Sequence, residues 1–543
     1  MREKTMKRAA GLMAAVMLLG LAGCGSQETT ESSQAQESDA LPVSSEEAAE
    51  PKEPVTLEWY YRGNGQQEDT EMVEQRVNEL LKTYPGLEHV TINLNCSTSS
   101  EYQEHVTLAQ SAGQQIDILN SVSLDFYEQV ENGSYMPLDD LISDELRAEL
   151  PEWLWKMGSV DGKIYMVPNY QQACNMGYLF TPKEYMDKYG DYDKIVSVLT
   201  DPDSSYEDKM AVMEEYLMAV REGEGDGKYL PSLPSRVLSE TGTQGFYFRD
   251  YFDVVSGDFI VEAGSGEVTY KYATDMARQL CALSAQWYDA GIIHPDVLTV
   301  EASELRYENM LNPTSWILSY NGAIGDPETV AETYKNDWGF EVVAIPTQQQ
   351  YYIQNSWAAG GNGISSTCEH PEEAIKFIEA LTTGTEKGKE IYNTMVFGIE
   401  GVHYTRDEND PDRIETLEYS GAQGGIDTSY AAMKWIIGNT FYAYKNQAVS
   451  DENSAIALEV NEGDNTITSD LVGFVADTDS VSVQLDQIKA VTSEYRDTLL
   501  QGVLGEAGWE ACYNEYIEKL KVAGMDEVIA EFQRQLDEFL ANQ

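Results

Sequence analysis

Between Val55 and Leu119 strand and helix signals alternate at a spacing that leaves few topologies open. Val55, Leu57, Trp59 and Tyr61 recur at every second position, the period of a half-buried strand, and a Gly-Asn-Gly turn follows. Met72, Val73, Val77, Leu80, Leu81 and Tyr84 then fall on one helical face that Pro85-Gly86 ends. Val90, Ile92, Leu94 and Cys96 alternate again. Tyr102, Val106 and Ala109 mark a helix from Ser100 to Ser111, and Ile116-Asp117-Ile118-Leu119 is a short third strand. Strand–helix–strand–helix–strand with such short connections implies right-handed crossovers and a parallel sheet, so an α/β fold is expected. In such sheets ligands sit beyond the carboxyl ends of the strands. Those ends are Tyr61-Arg62-Gly63-Asn64, then Ser97 to Ser100, then Asn120-Ser121 with Ser123 and Asp125 behind. Singly, each is an ordinary turn or N-cap residue. As a set they form a polar rim suited to a ligand with many hydroxyls.

The residues ahead of Val55 supply no core. Arg2, Lys4, Lys7 and Arg8 precede an apolar run from Ala9, the layout of a secretory signal peptide. That run is shorter than the roughly 20 residues a membrane-spanning helix needs. It ends in Leu21-Ala22-Gly23-Cys24, which resembles the bacterial lipobox, and the resemblance implies that Cys24 carries a diacylglyceryl thioether as the mature N-terminus. Two acyl chains give stable anchoring. Gly25 to Pro54 is Ser, Glu, Gln, Ala and Pro with almost no bulky apolar residue, so a disordered tether is expected, with a reach of roughly 30 Å.

Charge narrows the partners. Against 35 Lys and Arg stand 93 Asp and Glu, a formal net charge of −58. Such a surface repels phosphate backbones and excludes nucleic acid. The cysteines (Cys24, Cys96, Cys174, Cys281, Cys368, Cys512) are scattered without the spacing of a zinc or redox motif. Five remain once Cys24 is lipidated, an odd number that argues against a disulfide framework. No cofactor is expected, and none of the metal-site spacings is met. The acidic loop Gly223 to Gly227 lacks the closing Glu of an EF-hand and reads as a solvated loop.

Further motifs carry a family resemblance. Asp117-Ile118-Leu119, Gly133-Ser134-Tyr135-Met136-Pro137-Leu138-Asp139 and Gly162-Lys163-Ile164-Tyr165-Met166-Val167-Pro168 follow in order. Gly361-Asn362-Gly363-Ile364-Ser365 then precedes Pro371-Glu372-Glu373-Ala374. Together they resemble the family-1 extracellular solute-binding proteins, the sugar-type receptors of ABC importers. Leu471 to Asp537 resembles the helical C-terminal domain, of uncharacterised function, on one branch of that family. By periodicity alone Val528, Ile529, Phe532, Leu536 and Phe539-Leu540 form an apolar stripe that must pack on something, here expected to be one lobe.

The resemblance implies a two-lobed, type II periplasmic-binding-protein-like fold with parallel-sheet lobes, crossed by the chain near Pro168, Tyr320 and Thr383. The implied segments are a signal peptide (1–23), a lipidated tether (24–54), lobe 1 (55–168 and 316–383), lobe 2 (169–315 and 384–470) and a helical C-terminal domain (471–543). The function implied is a non-enzymatic, lipid-anchored receptor outside the cytoplasmic membrane. It would bind a sugar or oligosaccharide between lobes, act as a monomer and deliver its ligand to the permease subunits. Candidate stacking platforms are Tyr61, Tyr170, Trp316, Tyr320, Trp357 and Tyr404. Arg62, Asn64, Ser97, Asn120 and Asp125 are the candidate polar contacts. His403 has no Ser or Cys near it in sequence and reads as a structural or rim histidine. The alternatives are a receptor for a peptide or amino-acid derivative on the same fold and an anchored glycoside hydrolase. Chance carboxylate pairs among so many acids make the second hard to read from composition.

Overall fold

The computed structural model describes residues 52–225, 228–229, 252–262, 264–299, 315–316, 319–353, 360–417, 429–446 and 451–542. Cys24, the signal segment and nearly all of the tether lie outside them, as does Trp357.

The first strands and helices form where the periodicity places them: Val55–Gly63 (β1), Thr70–Leu81 (α1), Val90–Thr98 (β2), Tyr102–Ser111 (α2) and Ile118–Asn120 (β3). Phe126–Glu131 (α3), Glu152–Met157 (α4) and Met166–Pro168 (β4) follow, then Met176–Pro182 (β5). Next come a hairpin and its added strand, Phe252–Ser256 (β6), Phe259–Glu262 (β7) and Val268–Tyr270 (β8), and the helix Asp275–Asp289 (α5). The chain continues through Ser319–Ala323 (β9), Pro327–Trp338 (α6), Val342–Pro346 (β10), Tyr351–Ile353 (β11), Gly361–Ile364 (β12), Pro371–Thr382 (α7) and Glu386–Phe397 (α8). It ends with Lys434–Ile437 (α9), Asp451–Glu462 (α10), Thr466–Thr468 (β13), Ser482–Leu500 (α11), Gly505–Val522 (α12) and Met525–Ala541 (α13).

In the first lobe β1 runs parallel to β2 over its whole length, Val55 beside Val90 through to Gly63 beside Thr98, and parallel to β3 on its other side. β12 enters antiparallel between β3 and β4, giving the order β2-β1-β3-β12-β4. A side chain at Gly361 would stand 2.5 Å from the Val167 carbonyl oxygen, so glycine is what lets β4 approach. Leu57, Trp59 and Tyr61 face a core that Val73, Val77 and Leu81 of α1 close from one side. Met72, read as part of that helical face, is exposed instead.

The second lobe is built on β5, with β9 and β10 antiparallel on either side of it. Among its described strands this sheet is antiparallel, unlike the parallel ladder of the first lobe. Two boundaries differ from those expected. The strand holding Tyr320 pairs with β5 and stays in the second lobe, so the return to the first sheet comes after Ile353. The chain does not leave again near Thr383, because α8 packs on α1 and α7 and buries Ile391, Tyr392, Met395 and Val396 in the first core. Apolar pattern alone could not decide either point, since the same face fits whichever sheet receives it.

The crossings run side by side. Asn175 bridges Tyr352, and β11 pairs in parallel with β13, Tyr352 beside Ile467. Asn461, buried at the end of α10, accepts from the Ala173 N–H (2.8 Å) and donates to the Gln171 carbonyl (2.7 Å). These contacts make a hinge of three hydrogen-bonded segments.

The C-terminal helices pack on the second lobe. Val528, Phe532 and Leu536 are buried in its core, Ile529 and Phe539 pack partly buried against it, and Leu540 is 40% exposed. Phe532 meets Phe259 edge-on at 5.3 Å, and Tyr270 and Thr492 share a hydroxyl hydrogen bond of 2.6 Å. The arm that leads into them straddles both cores, with Val472 in the first and Leu471 and Phe474 in the second. Among the described residues no helix is long and apolar enough to cross a membrane.

Candidate functional site

The carboxyl ends of β1, β2, β3 and β4 come together at one edge of the first sheet, roofed by the segment that carries α9. Three buried asparagines tie that roof down. Asn120, at the end of β3, donates to the Asn362 Oδ1 (3.0 Å) and the Gly361 carbonyl (3.1 Å). Asn362, on β12, accepts from Trp59 Nε1 (3.1 Å) and donates to the Asn169 Oδ1 and the Ile436 carbonyl (3.2 Å each). Asn169, just past β4, donates to the carbonyls of Trp435 (3.0 Å) and Ile436 (2.9 Å). An amide side chain offers two donors and an acceptor, so it can knit backbone carbonyls that no strand reaches. The roof is held at its other end by Asn64, which donates to the Ala431 carbonyl at 2.8 Å, and by Gln67, which exchanges bonds with Ala431 N (3.0 Å) and O (2.8 Å).

This clamp presents the half-buried Trp435 at the rim. The Arg62 guanidinium lies 5.3 Å from the Trp435 ring centroid, and its Nε donates to Ser99 Oγ (2.7 Å). Among the described residues Arg62 has no carboxylate partner, although the chain holds 93 acids. The exposed Ser123 adopts a positive φ of 68° beside the same edge, a conformation that non-glycine residues rarely take. Burial lowers the Lys434 ammonium below its ordinary value. A cation free to donate, an aromatic face and exposed hydroxyls can together stack on and hydrogen-bond a polyhydroxylated ligand.

The sequence-derived candidates divide. Arg62, Asn64 and Asn120 all reach this edge, Asn120 as a buried tie. Tyr61 does not: the alternation that makes β1 a strand turns it inward, 2% exposed, with its ring 4.6 Å from that of Trp59. Ser97 is buried and bonded to His105 Nδ1 (2.8 Å). Asp125 is the N-cap of α3 and accepts from the Glu128 N–H (3.0 Å). Tyr170 is buried at the hinge, donating to Glu462 (2.6 Å) and meeting Phe441 edge-on at 4.9 Å. Tyr404 lies in a separate small cluster with Ile414 and Tyr444. The side chains of Trp316 and Tyr320 lie outside the described residues. Sequence reasoning missed Trp435 because α9 has only 4 residues and no periodicity to read. Asn362 stood in the sequence only as part of the Gly361-Asn362-Gly363-Ile364-Ser365 motif, and Asn169 only as the polar residue after Pro168.

His403 is fully buried. Its Nδ1 accepts from the Ile399 N–H (2.8 Å), so the proton sits on Nε2, which faces Asp69 Oδ2 at 3.3 Å. Ser429 also donates to Asp69. The carboxylate stands between serine and imidazole, so the imidazole does not touch the hydroxyl it would have to activate, and the trio ties three segments together. Among the described residues no group of three His, Cys, Asp or Glu side chains is arranged to hold a metal.

Residues 470–541 match the family model described as a domain of unknown function, DUF3502. No curated protein matches the chain in sequence. In fold the chain is similar to the N-glycan transport solute binding protein NgtS of Streptococcus pneumoniae, with a TM-score of 0.68 at 19% identity over 90% of this chain and 100% of that one. The same protein in complex with Man5GlcNAc gives 0.56 at 20% identity over 90% and 99%. An HMO binding, ABC-transporter associated solute binding protein of Bifidobacterium longum infantis gives 0.54 at 14% identity over 90% and 100%. The chain thus has the fold of the solute-binding proteins of ABC transporters, with a helical C-terminal domain.

Proposed function

We propose that this chain is the substrate-binding protein of an ABC importer, anchored by lipid at Cys24 outside the cytoplasmic membrane, and that it takes an oligosaccharide between its lobes. The observation that carries the reading is the hinge. The lobes keep separate sheets, and three hydrogen-bonded segments connect them, a layout suited to rigid-body closure. Ligand spanning the gap favours the closed form by its differential affinity for it, and the permease reads the closed shape. The ligand class is supported by the glycans that the structural neighbours bind. It is supported also by the Arg62, Ser99 and Trp435 group at the sheet edge. The receptor acts as a monomer and performs no chemistry on its ligand.

Thermal denaturation of the full chain with a panel of neutral oligosaccharides and of peptides tests this. True ligands raise the midpoint by mass action. The expected result is a rise with at least one oligosaccharide, none with peptides and no cleaved product by chromatography. A rise with peptides alone, or hydrolysis of the sugar, overturns it.

A further inference from the structure

The C-terminal domain also stands across a cavity of about 620 Å³ from the first lobe. The first-lobe wall is Tyr127 of α3, Lys156 of α4 and a short hairpin that pairs Ser159 with Ile164 and Val160 with Lys163. The hairpin tip, Asp161 and Gly162, has φ of 50° and 74°, the two left-handed positions that a tight hairpin turn requires. The opposite wall is Phe474 of the arm, Asp477 just beyond it, and Arg534, Glu538 and Phe539 of α13, with Asn542 at the helix end. That wall is braced. The Gln535 amide accepts from the Asp477 N–H (2.8 Å) and donates to the Asp477 carbonyl (2.9 Å), and Phe474 meets Phe539 edge-on at 5.3 Å.

A volume of this size lies within the roughly 300–1,000 Å³ of small-molecule sites, which favour the boundary between domains. Among the described residues the Tyr127 hydroxyl, the Lys156 ammonium and the Asp161 carboxylate have no hydrogen-bond or ion-pair partner in the protein. Burial, then the charges of Glu131, Asp161, Asp477 and Asp479, raise the Tyr127 hydroxyl, so it stays protonated and able to donate. Charge narrows the occupant. Two bases (Lys156, Arg534) and three carboxylates (Asp161, Asp477, Glu538) line the cavity, near balance on a chain with 35 basic and 93 acidic residues. Arg534 is already held by Glu531 (2.6 Å) and Glu538 (2.8 Å). An anionic ligand would meet the carboxylates and a cationic one the bases. A neutral, hydroxyl-rich ligand meets donors, acceptors and the faces of Tyr127 and Phe539.

We propose that this cavity is a binding subsite for a neutral oligosaccharide and that the C-terminal domain is its second wall. The place follows from the cavity, while the ligand class rests on the receptor function proposed above. The stripe of α13 is buried in the core of the second lobe, so the two walls belong to the two bodies that the hinge connects. A glycan touching both Tyr127 and Asn542 bridges them and favours the closed form by its greater affinity for it. The C-terminal domain is thereby a recognition element as well as a brace on the second lobe.

The test uses the full chain with neutral gluco-, manno- and fructo-oligosaccharides, and uronate-containing oligosaccharides as the charged arm. Each sugar that raises the melting midpoint is carried into carbene footprinting read by mass spectrometry. The expected result is that a neutral sugar lowers labelling of the peptides holding Tyr127, Ser159 to Gly162 and Arg534 to Asn542. By isothermal titration Tyr127→Ala, which removes a face, and Asn542→Trp, which fills the cavity, should each weaken that sugar by about fivefold or more. A neutral sugar that binds but leaves those peptides labelled as before overturns this inference and leaves the receptor function standing. Preference for the uronate arm overturns the neutral assignment. If no saccharide raises the midpoint, the receptor function fails and takes this inference with it. Footprinting uses the unmodified sequence, so a variant that fails to fold leaves the test intact.

Discussion

Asn362 holds partners on three sides of the first sheet's edge: Trp59, Asn120 and Asn169 in side chains, and the Ile436 carbonyl in the roof. Replacing it with leucine strips buried donors and acceptors of their partners, and each such group costs about 1–3 kcal/mol. Urea denaturation should show Asn362→Leu destabilised by about 3 kcal/mol or more, and a loss under 1 kcal/mol would mean that water or relaxation satisfies the knot. His403 bears on pH. Burial lowers its folded value, against the pull of Asp69, while the unfolded value is about 6.5. The unfolded chain therefore binds more protons just below that pH, so this group's stability contribution is present above about 6.5 and falls as the pH drops from there toward the lowered folded value. His403→Gln keeps a donor toward Asp69 and an acceptor toward Ile399 without titrating. Its melting temperature should fall less than that of the unmodified chain between pH 7.5 and 5, and equal slopes would remove His403 as the cause. The buried fate of Tyr61 was already implicit in the alternation of β1, whereas that of Ser97 depends on His105 from the neighbouring helix and was not.

Among the elements, the arm Leu471 to Phe474 decides how the C-terminal domain sits. Gly473 has φ 87°, and a Cβ there would stand 2.7 Å from the Lys156 carbonyl oxygen of α4. Gly473→Ala should lose about 2 kcal/mol, from the left-handed backbone and the contact with unyielding backbone together. Chemical denaturation would measure it, and an unchanged midpoint would show that the arm can shift without cost. On α13, Phe532→Ala removes a fully buried ring and should cost about 3–5 kcal/mol. Helices such as α1, α5, α7 and α13 were legible because 3.6-residue periodicity is local. The strand β9 was not assignable, because its choice of β5 as partner rests on residues more than a hundred positions away.

For the whole molecule the proposed function turns on whether the two lobes close on a guest. If Trp435 is a stacking platform, Trp435→Ala should weaken a ligand found in the thermal screen by up to roughly tenfold, consistent with about 0.5–1.5 kcal/mol for losing one aromatic contact. Since the asparagines bind the backbone of this segment and not the indole, the variant's midpoint without ligand should move little. Isothermal titration beside thermal melts separates the two effects, and a stable variant of unchanged affinity would move the site elsewhere. Small-angle scattering should show the radius of gyration falling when ligand is added. A profile that does not change would remove the closure mechanism.

What the residues determined unaided is whatever depends on near neighbours: the strand–helix alternation from Val55 to Leu119, the polar strand ends and the apolar stripe of α13. These follow from periodicity, turn chemistry and short motifs, each readable within a dozen residues. The tertiary structure alone decided which sheet received β9, that α8 stays with the first lobe, and that a tryptophan from a four-residue helix stands at the rim. Those outcomes rest on hydrogen bonds and packing between segments hundreds of residues apart, such as Asn169 with Trp435, and no local pattern encodes them.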